Sequence, residues 1–380
     1  MYKHSNSRAV RHHVLPNEPR IIDAQRQAEL TAAYLQPWLL ELEAFFLAVR
    51  AQIDLKLIPL YPYKLGKPYP LGQCLEISLE AQQMLKAVDP VILTSDKARH
   101  GHHAYLAFRR AGGVLRQVWG DLRGEFFQNA FQLGSLYVDV SNDTVTPTKP
   151  KVEILPFQDA NFTPIRDFQH FIRIAERYWK VEVFPNYLLP EIAPYCPLIY
   201  RRGDGALMLA EASSYMVSLA NVEAFTSSED VLRNGELPGV IFGQAKAALA
   251  GTSGLASDAF SGRLAALQKC KKLRHTVHQS SAHRLNHILQ TVGRLNMRLV
   301  AATANTGLNF QKDKAMEQNN LLTIDGKQYA LAALSEPARQ QLQMLQMSDQ
   351  RLQELQRDLA ITQTARNAYL QALKELLPQS

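Results

Sequence analysis

The fifteen residues from Pro59 to Gln73, PLYPYKLGKPYPLGQ, constrain the fold more than any other stretch, because four prolines and two glycines fall inside them. Proline fixes φ and removes a backbone donor, and glycine leaves the chain free to turn, so neither a helix nor a sheet ladder is expected to run through this segment. The next residues are different in kind. Cys74 opens CLEISLEAQQML, whose apolar residues recur with helical spacing. The Pro/Gly stretch therefore reads as an ordered approach that delivers a cysteine to the start of a helix. A thiol placed there feels the partial positive charge of the helix N-terminus, which favours the thiolate. Cys74 is then either a nucleophile or a small buried hydrophobe, and its partners have to decide which.

From Val114 the sequence changes to short alternating runs, VLRQVWG, EFFQNAFQL and SLYVDVS, with glycines between them, the pattern of an antiparallel sheet. YPLGQCLEIS followed by GGVLRQVWGDLRGEFFQNAFQLGSLYVDVSNDTV resembles the core of bacterial transglutaminase-like (papain-like thiol) proteins, over about residues 66–145. The resemblance implies a helix-plus-antiparallel-sheet fold in which Cys74 matches the nucleophile and Asp139 the orienting acid. It also implies a departure: Asn129 stands in the family's His position, and an amide cannot take a proton from a thiol near neutral pH. Three readings stay open. The core is catalytically degenerate and Cys74 is packing; or His100, His102 or His103, in the loop-like ARHGHHAYLAF, supplies a displaced base, with His103 the nominated candidate; or the register differs.

Upstream, residues 1 to about 22 read as a loose polar arm, and the next thirty as helices interrupted at Pro37. Residues 151–258 mix strand, helix and Pro-rich turns and are assigned α+β character without chemistry. Between Ala259 and Lys312 there is no Asp or Glu, while nine residues are Lys or Arg, more than the net charge of +7 for the whole chain. Leu285, Ile288, Val292, Leu295 and Leu299 give the same segment an apolar helical stripe, with a break expected near Gln279-Ser280-Ser281 or Gly293. Lys269, Lys271, Lys272, Arg274, Arg284, Arg294 and Arg298 are the candidate anion-binding residues. Such a face can neutralise phosphates or pack against an acidic neighbour, and no aromatics interleave with it for base stacking.

In the last sixty residues, LLTIDGKQYAL reads as a hairpin turning at Asp325-Gly326. Ser335-Glu336-Pro337 then opens a helix with a leucine stripe. With its IDGK-x-Y and QTAR-x-AY motifs, this end resembles a family of small uncharacterised bacterial proteins. The divisions expected are therefore 1–150 (N-terminal helices and transglutaminase-like core), 151–258, 259–320 and 321–380, in an α+β chain with a long helical, coiled-coil-like C-terminal region.

The remaining features narrow the function class. At 46% hydrophobic and 20% charged, 380 residues suffice for real cores. Cys74, Cys196 and Cys270 are odd in number and widely spaced, which supports neither a disulfide framework nor a Cys-x-x-Cys metal site. His283 and His287 have metal-sharing spacing, but Arg284 stands where a zincin would carry its Glu. No phosphate-binding loop is present, so neither cofactor nor metal is expected. The start lacks an apolar leader and no membrane partner is expected, so the cytoplasm is the expected location. The function expected is a degenerate transglutaminase-like protein that binds a protein or peptide and self-associates through its C-terminal helix. The alternatives are a cysteine acyl transferase or hydrolase using Cys74, and a nucleic-acid binder using residues 259–312.

Overall fold

The computed structural model describes residues 14–64, 66–275, 282–304, 321–324 and 327–330. Met1–Thr306 form one compact unit and Gly307–Ser380 a second. The chain is mixed α+β.

The first unit begins with α1 (Ala24–Tyr34) and α2 (Leu39–Leu60), separated where Pro37 interrupts the helix as a 3-10 turn. Pro59 falls in the last turn of α2, which ends one residue later. The Pro/Gly approach is less irregular than expected: β1 (Tyr63–Lys64) and β2 (Lys67–Pro68) pair antiparallel, Tyr63 opposite Pro68. Two pairs of residues need no long ladder, so the prolines at either end do not forbid them. Next come α3 (Cys74–Met84) and α4 (Asp96–Arg110), capped by Ser95 accepting from the Ala98 amide. The ARHGHH segment is therefore helical, not a loop. Its Gly101 sits at a close approach of α4 to α2, where a Cβ would lie 2.0 Å from the Glu41 carbonyl oxygen.

The central sheet holds β3 (Leu115–Leu122), β4 (Phe126–Leu133), β5 (Leu136–Asp139), β6 (Glu153–Pro156) and β7 (Phe162–Thr163), in the order β6-β5-β4-β3-β7. Every neighbouring pair is antiparallel. Alternation sends successive side chains to opposite faces. One face meets α3 and α2 through Phe131, Leu133, Val138 and Val140. The other encloses Val118, Leu122, Ala130 and Tyr137, closed over by Phe157, Ala160 and Phe162. Both faces being covered, β4 is buried along its whole length.

Beyond the sheet lie α5 (Phe168–Trp179) and a second, three-stranded sheet of β8 (Glu182–Pro185), β9 (Leu198–Arg201) and β10 (Leu207–Ala210), with β9 central. The helices α6 (Ser214–Val222), α7 (Thr226–Asn234), α8 (Gly239–Ala248), α9 (Ala259–Arg274) and α10 (Ala282–Thr303) complete the unit. Ala266 and Cys270 of α9 and Ile288, Val292, Leu295 and Leu299 of α10 are buried in the same core as α5 to α8. The basic region thus adds to the core of residues 165–249. Gly293 does not break α10. Edge strand β10 is closed by side chains of α10: Asn296 accepts from the Leu209 amide at 2.7 Å and donates to its carbonyl at 3.0 Å, and Thr303 accepts from the Leu207 amide at 2.8 Å.

In the second unit β11 (Leu321–Ile324) and β12 (Lys327–Ala330) pair antiparallel, with Ile324 opposite Lys327. The helix expected after Pro337 lies outside the described residues. No single helix among the described residues is long and apolar enough to cross a membrane.

Candidate functional site

Cys74 is the first residue of α3, and Gln73, its N-cap, makes no capping bond. The turn before it depends on Gly72, whose φ of +72° suits glycine. The Gly72 amide donates to the Thr144 carbonyl at 2.9 Å, tying the approach to the loop after β5. Across from the sulfur stands Asn129 of β4, its Nδ2 3.6 Å from Cys74 Sγ. Ser78, one turn into α3, donates to the Asn129 carbonyl at 3.1 Å and keeps helix and strand in register. Gln117 of β3 donates to Asn129 Oδ1 at 3.4 Å, so a line of amides runs from the sulfur into the sheet. Burial pushes the Cys74 thiol above its ordinary range, and the Asn129 bond and the Lys64 charge only partly oppose it. The thiol is therefore held protonated at neutral pH.

The convergence expected of Cys74, Asn129 and Asp139 is met by the first two alone. Phe131 is paired with Val138 and Gln132 with Tyr137, which sets Asp139 opposite Ala130. Its side chain consequently leaves the sheet on the face away from Asn129. There Asp139 accepts from Gln128 Nε2 at 2.6 Å, Tyr137 OH at 3.0 Å, the Ser141 amide at 2.7 Å and Ser141 Oγ at 2.9 Å. Burial raises its pKa against those four donors. In LYVDV the valines face the helices, and the acid shares the parity of Tyr137.

His100, His102 and His103 ride on α4, where helical geometry gives them other neighbours. His100 lies 6.0 Å from the Trp38 ring and His102 5.2 Å from the Phe45 ring, while exposed His103 sits 6.4 Å from His102. Burial lowers the pKa of His102. A buried His–carboxylate pair that sequence reading does not reach lies further along the Asn129 face: His170 Nε2 is 2.8 Å from Asp121 Oδ2. The Arg166 amide donates to His170 Nδ1 at 3.2 Å, which makes Nδ1 an acceptor and leaves Nε2 carrying the proton toward Asp121. Both ring nitrogens are thereby engaged, Nε2 in joining α5 to β3 and Nδ1 in fixing the turn before α5. Forty-nine residues separate the two partners, and no local spacing signals their contact.

A pocket of about 280 Å³ opens on the approach to Cys74, lined by Lys67, Leu71, Gly72, Thr144, Val145 and Tyr178. Burial raises the Tyr178 pKa, and Tyr178 is near enough to Cys74 for the charge of the thiolate to raise it further. The walls are fastened from behind by Arg50, fully buried in α2. It donates to both Asp143 oxygens at 2.8 and 3.0 Å, to the Val140 carbonyl at 2.7 Å and to Asp54 at 2.6 Å. Asp54 in turn accepts from Tyr69 OH at 2.6 Å and from Lys151 at 2.5 Å. Both pocket walls, 69–72 and 140–145, thus hang on one ion cluster.

Much of the basic charge is met within the chain. Lys269 pairs with Glu191 at 2.5 Å, and Arg274 pairs with Glu229 and donates to the Ala224 carbonyl at 3.2 Å. Arg298 donates to Thr252 Oγ1 at 2.8 Å and to the Ala250 carbonyl at 2.7 Å, and Arg294 reaches Thr291 at 3.5 Å. Arg284 is half-buried, and Lys271 and Lys272 are exposed. Compared with family models, curated proteins and solved structures, the chain matches none.

Proposed function

We propose that the chain is a catalytically degenerate transglutaminase-like protein that uses the pocket on the approach to Cys74 to bind a peptide segment of a protein partner. The observation that carries this reading is the group that hydrogen-bonds the sulfur: an Asn129 amide at 3.6 Å, which donates and cannot accept a proton from the thiol. The pocket supports a binding role, with Leu71, Val145 and Tyr178 offering apolar contact and Lys67 a cation at the rim. An apolar side chain flanked by a carboxylate is the complementary ligand.

Time-resolved alkylation by iodoacetamide at pH 7.5, read out by mass spectrometry, tests the chemistry. Cys74 is expected to react more slowly than free cysteine. Rapid labelling that vanishes in Cys74→Ala, or that slows on His103→Ala, would establish the acyl-transfer alternative. For the binding role, a random peptide display should enrich acidic-apolar sequences, and Tyr178→Ala and Lys67→Glu should release them. Enrichment unaffected by either change would remove the pocket from the function.

A further inference from the structure

The helix α2 carries apolar residues on two opposite sides, yet only one of those sides enters the core. Leu42, Phe45, Phe46, Val49, Ile53 and Leu57 are buried against α3, α4 and the sheet. On the opposite side Leu40, Leu47, Leu55 and Ile58 are 68, 40, 69 and 48% exposed. With Ala44 and Ala51 between them, these residues follow the spacing of one helical stripe, about 27 Å long at 1.5 Å per residue. An exposed apolar stripe of this length marks an interaction surface.

We propose that this stripe is the seam of an antiparallel, two-fold dimer of the chain. Its sequence is complementary to itself when read backwards. With the two-fold axis level with Val49, Leu40 comes opposite Ile58 of the second copy and Leu47 opposite Ala51, while Ala44 falls one residue, about 1.5 Å along the axis, from the level of Leu55. Leu47 on Ala51, with Leu55 next to Ala44, sets large side chains against small ones, which lets two helices approach closely. The charges flanking the seam agree with the same register. Glu43 and Asp54 lie on the same flank, and a two-fold antiparallel pair brings that flank against its own copy. Glu43 is thereby placed within one residue of the level of the Asp54–Lys151 pair, in which Lys151 is the solvent-facing member at 51% side-chain exposure. A seam of this length buries on the order of 1,000 Å² in total, the lower bound for a specific interface, so the dimer dissociates on dilution.

Sedimentation velocity of the full chain over a concentration series is the test. A monomer–dimer equilibrium is expected, weakened on the order of tenfold or more by Leu47→Glu or Leu55→Glu, with folding checked by circular dichroism. Ala51→Trp distinguishes a fitted seam from a merely sticky patch: it adds apolar surface but fills the space for Leu47 of the second copy, and it too should weaken the dimer. Leu47→Cys combined with Ala51→Cys should cross-link two chains on oxidation. Either a monomer at all concentrations or a dimer indifferent to these substitutions overturns the proposal. A monomer that co-sediments with phosphatidylserine vesicles through Leu55 would assign the stripe to a lipid surface instead.

Discussion

At the scale of single residues, the chemistry at Cys74 turns on whether its neighbour can hold a proton. Asn129→His places an imidazole where the amide now stands, 3.6 Å from the sulfur. Alkylation of Cys74 near pH 7 is expected to rise by roughly an order of magnitude or more as a thiolate–imidazolium pair forms. Hydrolysis of an acyl substrate is not expected to accompany it, because Asp139 lies on the other face of the sheet and cannot orient the new ring. Arg50 poses a different problem, that of a buried charge with its partners. Arg50→Met leaves Asp143 without its cation and Asp54 with Lys151 alone, and should cost about 3–5 kcal/mol in urea unfolding at pH 7. Asp54 is held below the ordinary carboxylate range: burial opposes this, and the bonds from Lys151, Tyr69 and Arg50 outweigh it. Its contribution is therefore complete above the unfolded-state value near 4, and is lost as pH falls through the lower native value. Parallel unfolding series at pH 7 and pH 3 should show a smaller acid loss in Arg50→Met than in the unaltered chain.

Among elements, the contact of α4 on α2 shows how one small residue sets a helix–helix distance. Gly101→Ala improves helix propensity by about 1 kcal/mol, yet it directs a methyl at the Glu41 carbonyl. Separating the helices costs about 1–3 kcal/mol or more, so the melting temperature is expected to fall. A rise would mean that the helices slide apart freely. The same contact explains why the histidine cluster is hard to place from sequence. HGHH looks loop-like because its glycine is taken for a turn, whereas Gly101 is there for close approach. Helix starts are legible where a local pattern announces them: Cys74 after the Pro/Gly stretch, and the interruption at Pro37. Strand parity within LYVDV is legible too, and it sets Asp139 with Tyr137 and away from Asn129. The resemblance to a thiol triad overlooks that parity, and this is the point at which the expected triad and the observed sheet part company.

For the molecule as a whole, partnership over long sequence distances decides the architecture, and single-sequence patterns do not encode it. The acid-free segment illustrates this. Its charge is evident, but Glu191 and Glu229, which receive Lys269 and Arg274, lie dozens of residues upstream with nothing local to mark them. The apolar stripe of α10 is likewise visible in the sequence, while its burial among residues 165–249 is not. Because the cores of the first unit, among the described residues, lie within Met1–Thr306, a chain ending at residue 306 is expected to unfold in urea with an unchanged midpoint. A markedly lower midpoint would show that the last 74 residues contribute to its stability. The closure of β10 by Asn296 and Thr303 bears on how the chain is made. Synthesis runs from the N-terminus, so the three-stranded sheet emerges about ninety residues ahead of the side chains that seal its edge. Throughout that interval Leu207 and Leu209 present open amides to any passing strand, and the nascent polypeptide, rather than the finished protein, is the species exposed to mispairing.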